Sequence, residues 1–100
     1  MATISKALGR GAFATSSATL YTVPSATTTV VTNIVITNTA GSSGTFTLGL
    51  AGTSLATTVA CAANSITTLD IKQVLSATQT ITGLASATTI NYHISGVEIA

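Results

Sequence analysis

Apolar and polar residues alternate with a period of two along most of the chain, and no stretch shows the 3.6-residue repeat of an amphipathic helix. The longest alternating run covers residues 28–38. There Val30, Thr32, Ile34 and Ile36 interleave with Val31, Asn33, Val35 and Thr37, so both faces are partly apolar. A strand of that kind belongs in the middle of a packed sandwich. Residues 45–50 alternate more cleanly, with Phe46, Leu48 and Leu50 on one side. Further strands are predicted over residues 14–23, 55–61, 66–71 and 88–99. In the third of these Leu69 and Ile71 turn inward and Asp70 outward.

Turn chemistry separates these runs. Pro24-Ser25, the small polar stretch 38–44, Gly52 and residues 62–65 all read as turns or loops. Residues 72–77 are ambiguous, because Gln73-Val74-Leu75 also suits a helical turn. Residues 78–82 read as short and polar, and 83–87 as a loop. In the last strand Ile90, Tyr92 and Ile94 share one face, whereas Val97 and Ile99 fall on the other. A β-bulge at Ser95-Gly96 would produce that slip. The alternative is that Val97 and Ile99 face a second apolar surface.

Seven or eight short strands at roughly ten-residue spacing, separated by turn signals, predict an all-β fold. The expected architecture is an antiparallel β-sandwich, jelly-roll or immunoglobulin-like, over residues 14–100. Residues 1–13 differ: Lys6 and Arg10 sit among Gly9, Gly11 and small residues, which reads as an extended, flexible N-terminal arm. Its lack of an apolar core segment argues against a signal peptide.

Composition changes the picture mainly through charge. Charged residues are 5% of the chain, against about 25% in ordinary globular domains. They are Lys6, Arg10, Asp70, Lys72 and Glu98, with none between Arg10 and Asp70. Disorder is excluded by an apolar fraction of 46%. Every apolar run is broken well short of the about 20 residues that a membrane helix needs, so no membrane is implied. A net charge of +1 gives no field to steer nucleic acid. A single cysteine, Cys61, allows no intrachain disulfide and reads as a buried apolar residue.

Little in the sequence suggests catalysis, which needs converging titratable groups. One His, one Cys, one Asp and one Glu are available. Nothing in their spacing supports a Cys61–His93 pair, a metal site or a cofactor site. Gly9-Arg10-Gly11 is too short for a phosphate loop. Tyr21 and Tyr92 are expected to cap the core with their hydroxyls toward solvent. Threonine clusters at residues 27–29, 45–47 and 78–82 lack the regular repeat of an ice-binding array. Natural sheets guard their surfaces and edges with charge, especially Lys. A chain without that guard is expected to be covered by copies of itself or by another protein, as in a symmetric homo-oligomer.

Four segments carry a resemblance. Ala18-Thr19-Leu20-Tyr21-Thr22-Val23-Pro24, followed by a Thr-rich turn and Val30-Val31-Thr32-Asn33-Ile34-Val35-Ile36-Thr37-Asn38, resembles the opening of a small β-sandwich family of tailed-bacteriophage virions. The ending Ile94-Ser95-Gly96-Val97-Glu98-Ile99 and the leader Lys6-Ala7-Leu8-Gly9-Arg10 are similar too. Together they span nearly the whole chain, although members of the family often carry a larger insertion where this chain is compact, at residues 49–57. The resemblance implies a non-enzymatic virion structural protein. The preferred role is a capsid decoration or cement protein that binds the major capsid protein and stabilises the shell; the alternatives are a tail or neck component forming rings and, more remotely, a carbohydrate- or surface-binding module. It further implies that the arm orders on binding. Lys6, Leu8, Arg10 and Phe13 are then the candidate partner-contact residues, the two cations meeting acidic patches on the shell.

Overall fold

The computed structural model describes residues 3–100, and all regular structure within them is β. Nine strands follow one another: β1 (Thr3–Ala12), β2 (Ala18–Thr22), β3 (Thr28–Asn38), β4 (Gly44–Leu50), β5 (Thr53–Cys61), β6 (Ser65–Leu69), β7 (Gln73–Leu75), β8 (Thr80–Ala85) and β9 (Ile90–Ile99). They form two antiparallel sheets. The first runs β1-β9-β3-β6, with β7 also paired to β3, and the second runs β2-β8-β4-β5. The all-β sandwich follows directly from the period-two pattern. The long central strand β3 carries the span predicted for it.

Several expectations are corrected. Residues 3–12 are not a flexible arm: they form β1, an edge strand paired with β9 from Thr3↔Ile99 to Ala12↔Asn91. Its sequence is poor in apolar side chains because it needs few. Leu8 packs into the core from within the strand, and Phe13 does so just beyond it. Gln73–Leu75 is not a helical turn but the short strand β7, which buries Leu75. Residues 83–85 are not a loop but the second half of β8, a central strand of the second sheet. Gly83 reads as a loop signal, yet its role is space. A Cβ there would lie 2.8 Å from Phe13 Cε1 and 3.0 Å from Leu20 Cδ1, so the absent side chain leaves room for the phenyl ring.

Phe13 therefore joins the sheets. Its ring stacks on Phe46 at a centroid distance of 6.5 Å and tilts against Tyr92 at 5.1 Å. Its backbone N–H donates to the Ile90 carbonyl at 2.9 Å, and the following Ala14 carbonyl accepts from Ala85 N–H at 3.0 Å. Around it Ile34, Ile36, Leu48, Ile81, Ile90 and Ile94 are buried.

The slip expected at Ser95-Gly96 lies elsewhere. The strand β9 is continuous, and its even-numbered residues face inward to the end, with Ile90, Ile94 and Gly96 buried. Its two neighbours carry the bulges instead. Leu8 is the extra residue of β1, between Ala7↔Ser95 and Gly9↔Ile94. Thr32 is the extra residue of β3, between Val31↔Gly96 and Asn33↔Ser95. The change of face thus occurs in β3, where Thr29 and Val31 are buried before Thr32 and Ile34, Ile36 and Asn38 after it. Val97 and Ile99 face outward, Val97 opposite Val30, which in turn pairs with Val74. The bulge at Ser95-Gly96, the reading the sequence favours, is thus corrected: β9 keeps its alternation, and Val97 and Ile99 face a second apolar surface.

Truncation of Phe13 tests the fold most simply. Phe13→Ala is expected to cost about 3–5 kcal/mol, a large share of the about 5–15 kcal/mol typical of a whole domain. Urea unfolding followed by far-UV circular dichroism measures it; an unchanged midpoint would place Phe13 outside the core.

Candidate functional site

Lys6 and Arg10 are both even-numbered, and in an unbroken strand they would share one face. The extra residue at Leu8 separates them. Lys6 turns toward the gap between the sheets and Arg10 toward the outer face of the first sheet. Each meets a different partner on β9.

Lys6 belongs to a polar cluster that closes one end of the sandwich. Its Nζ lies 3.4 Å from Glu98 Oε1, and the Glu98 side chain is only 12% exposed. The Tyr21 hydroxyl donates to Glu98 Oε2 and lies 2.9 Å from Thr29 Oγ1. Thr29 itself is buried. The Tyr21 hydroxyl therefore does not point to solvent: it is the hinge pin of an internal network joining β2, β3 and β9. The hydrogen bond from Tyr21 holds the Glu98 carboxyl below the ordinary carboxylate range, with Lys6 adding to the effect against the opposing cost of burial. Burial, followed by the bond to the carboxylate, pushes the Tyr21 phenol up.

On the outer face Arg10 Nε donates to His93 Nδ1 at 3.0 Å. An Nδ1 that accepts puts the imidazole proton on Nε2. Arg10, Gly11, Ala12, Asn91 and His93 line a depression of about 260 Å³. Of the four residues predicted to contact a partner, only Lys6 and Arg10 are exposed; Leu8 and Phe13 are buried and hold β1 to the core.

The other titratable groups do not converge. Cys61 is buried near Thr67 and Ser65, whereas His93 sits on the outer face with Arg10. Among the described residues no three His, Cys, Asp or Glu side chains gather as a metal site. Asn38 is buried and fully employed: its side chain donates to the Ser42 and Cys61 carbonyls and accepts from Ala40 N–H, pinning the 39–43 loop. Neither Tyr21–Glu98 nor Arg10–His93 was legible beforehand, because each depends on a bulge that shifts strand register.

The distribution of charge divides the molecule. Lys6 and Arg10 are on β1, Glu98 is on β9, and Asp70 and Lys72 lie between β6 and β7, where they pair at 3.7 Å. All five thus lie in the strands of the first sheet or in a connection between two of them. The strands of the second sheet carry none. With Phe46, Leu48, Ile81 and Ala85 of this sheet buried, the alternate positions Thr45, Thr47, Gly49, Thr80, Thr82 and Leu84 face outward. Cross-strand pairing extends that surface to β2 through Thr19↔Thr82 and Thr22↔Thr80. The result is a neutral, hydroxyl-rich sheet face.

The polar cluster predicts how stability depends on pH. A lowered Glu98 pKa contributes stability above the ordinary carboxylate range that is lost as pH falls through the folded-state value. A raised Tyr21 pKa contributes stability below the ordinary phenol pKa, about 10, that is lost as pH rises toward the folded-state value. Tyr21→Phe is expected to cost about 1–3 kcal/mol at neutral pH and to flatten the profile on both flanks. Denaturant titrations at a series of pH values measure this, and parallel wild-type and variant profiles would rule the network out as their source.

Compared with known proteins, the chain matches no family model, and no curated protein matches it either.

Proposed function

We propose that this chain is a non-enzymatic structural protein of a tailed-phage virion, acting as a decoration or cement protein on the assembled shell. The observation that carries the reading is the second sheet: four strands with no charged residue and an outer face made mostly of threonines, with Leu84 among them. A free sheet surface of that kind lacks the charges that discourage sheet-to-sheet association. Covered by another protein it is favourable, because hydroxyl and methyl groups can be buried without the desolvation cost of ions. The resemblance of the 18–24, 30–38 and 94–99 segments to phage sandwich proteins adds the class of assembly.

The titratable groups fit a structural role. Glu98 is committed to Lys6 and Tyr21, Arg10 to His93, and Cys61 is buried. A small protein bridging neighbouring shell subunits, or copies of itself, adds interface that stabilises the assembled state by mass action. Because residues 3–12 are a strand, the contact region in this reading is the exposed side of β1 together with the neutral face of the second sheet.

Quantitative mass spectrometry of purified phage particles tests the reading through copy number. The expected result is an abundance equal to, or a simple fraction of, that of the major shell subunit. A few copies per particle would move the chain to the neck or tail. Complete absence would overturn the virion assignment.

A further inference from the structure

We propose that Arg10, His93 and Asn91 form a receptor, on the outer face of the first sheet, for a carboxylate side chain of a partner protein. The proposal rests on the binding role argued above and specifies the chemistry of one contact within it.

Arg10 stands apart from the other charges. Glu98 is taken by Lys6 and Tyr21, and Asp70 by Lys72. Among the described residues, then, Arg10 has no acidic partner. It is nevertheless held in place, because its Nε donates to His93 Nδ1 at 3.0 Å. Using Nε in this way leaves the two terminal nitrogens free as an end-on fork, the geometry that takes a carboxylate through two parallel hydrogen bonds. Fixing the guanidinium beforehand reduces the rotamer entropy lost on binding.

The surroundings fit the same ligand. His93, accepting at Nδ1, has an N–H donor at Nε2, and the Asn91 amide offers another; both line the depression with Arg10. Gly11 and Ala12 also line it, and neither has a long side chain to fill it. One cation with two neutral donors balances a single negative charge. A phosphate group would call for a second cation, and the nearest, Lys6, is turned to the other face and committed to Glu98. The site is a shallow place on a sheet surface, where a small free carboxylate would remain hydrated and weakly held. An acidic side chain delivered by a protein surface brings its own cover, and that exclusion of water strengthens the pair.

Two measurements test this. In the first, sodium acetate is titrated against sodium chloride at constant ionic strength and pH, with the Arg10 Nε–H and the His93 ring followed by NMR. A saturable, acetate-specific shift in the millimolar range is expected for the wild-type chain and not for Arg10→Gln. A response to acetate no different from chloride would overturn the site. Saturation at micromolar acetate would show that a free carboxylate suffices and would overturn the protein source.

In the second, binding to shells purified without this chain is compared for wild type, Arg10→Gln and Arg10→Lys. Arg10 is exposed, so both variants are expected to keep the wild-type melting temperature. Arg10→Gln should bind about tenfold more weakly or worse, as when a charge-assisted pair is lost. Arg10→Lys, which keeps charge without the fork, should recover only part. Equal binding by all three would overturn the proposal while leaving the decoration role standing. Failure of the wild-type chain to bind shells would overturn that role, and the acetate titration would still decide the site.

Discussion

One extra residue on each side of β9 decides how the two sheets meet. Leu8 and Thr32 are both inserted opposite the same short stretch of β9, and Thr32 Oγ1 fastens its bulge by donating to the Ser95 carbonyl at 3.1 Å. Side chains alternate strictly along a strand, so each insertion turns every later residue of its strand to the other face. Ile34 and Ile36 reach the core only because Thr32 intervenes. Gly9 and Gly11 lie against Tyr92, and Arg10 points outward, only because Leu8 intervenes. The central strand passes between them without interruption. Gly96 sits at this level, where a Cβ would lie 2.8 Å from Leu8 Cδ1 and closer still to the Val30 carbonyl.

The two bulges also partition the interior. On one side of them the space between the sheets is filled by aromatic and branched aliphatic side chains around Phe13. On the other, Val31 and Leu75 are buried too, and the space is closed by Tyr21, Thr29, Glu98 and Lys6; no buried side-chain nitrogen or oxygen among the described residues lacks a hydrogen bond. A half-buried carboxylate is tolerated there because a hydroxyl and an ammonium group both address it. The charge in the molecule thus sits on the first sheet and the β6–β7 connection, and four of the five charged residues pair with one another. The second sheet has only hydroxyls and methyls to show, which is the physical basis for regarding it as a contact surface.

How much of this the sequence discloses depends on the range of the interaction. Strands β3, β4 and β6 could be read from their own residues, since alternation of large apolar side chains is a local signal, and Asp70 lies outward as the pattern indicates. The strand β1 could not. Its Ala and Gly residues look like a linker, and only contact with β9, more than 80 positions away in the chain, makes them a strand. Gly83 misleads in the same way: a residue that usually marks a loop is here the vacancy into which Phe13 fits. Arg10 is expected as a contact residue because it lies, with Lys6, on a segment that reads as an arm. The pairing that orients it, and the burial of Leu8 and Phe13 beside it, follow from a bulge with no signature of its own.

The claim that everything functional turns on is that the charge-free face of the second sheet is covered by protein in the assembled state. Thr82, on the outer face of the central strand β8, is the place to test it, because a lysine there can reach solvent when the sheet is free. The decisive measurement is the fraction of Thr82→Lys that sediments with purified shells, relative to wild type, for a variant whose melting temperature is unchanged. The account predicts a folded protein that no longer joins the shell. Incorporation equal to wild type would contradict it, and the hydroxyl face would then be ordinary solvated surface.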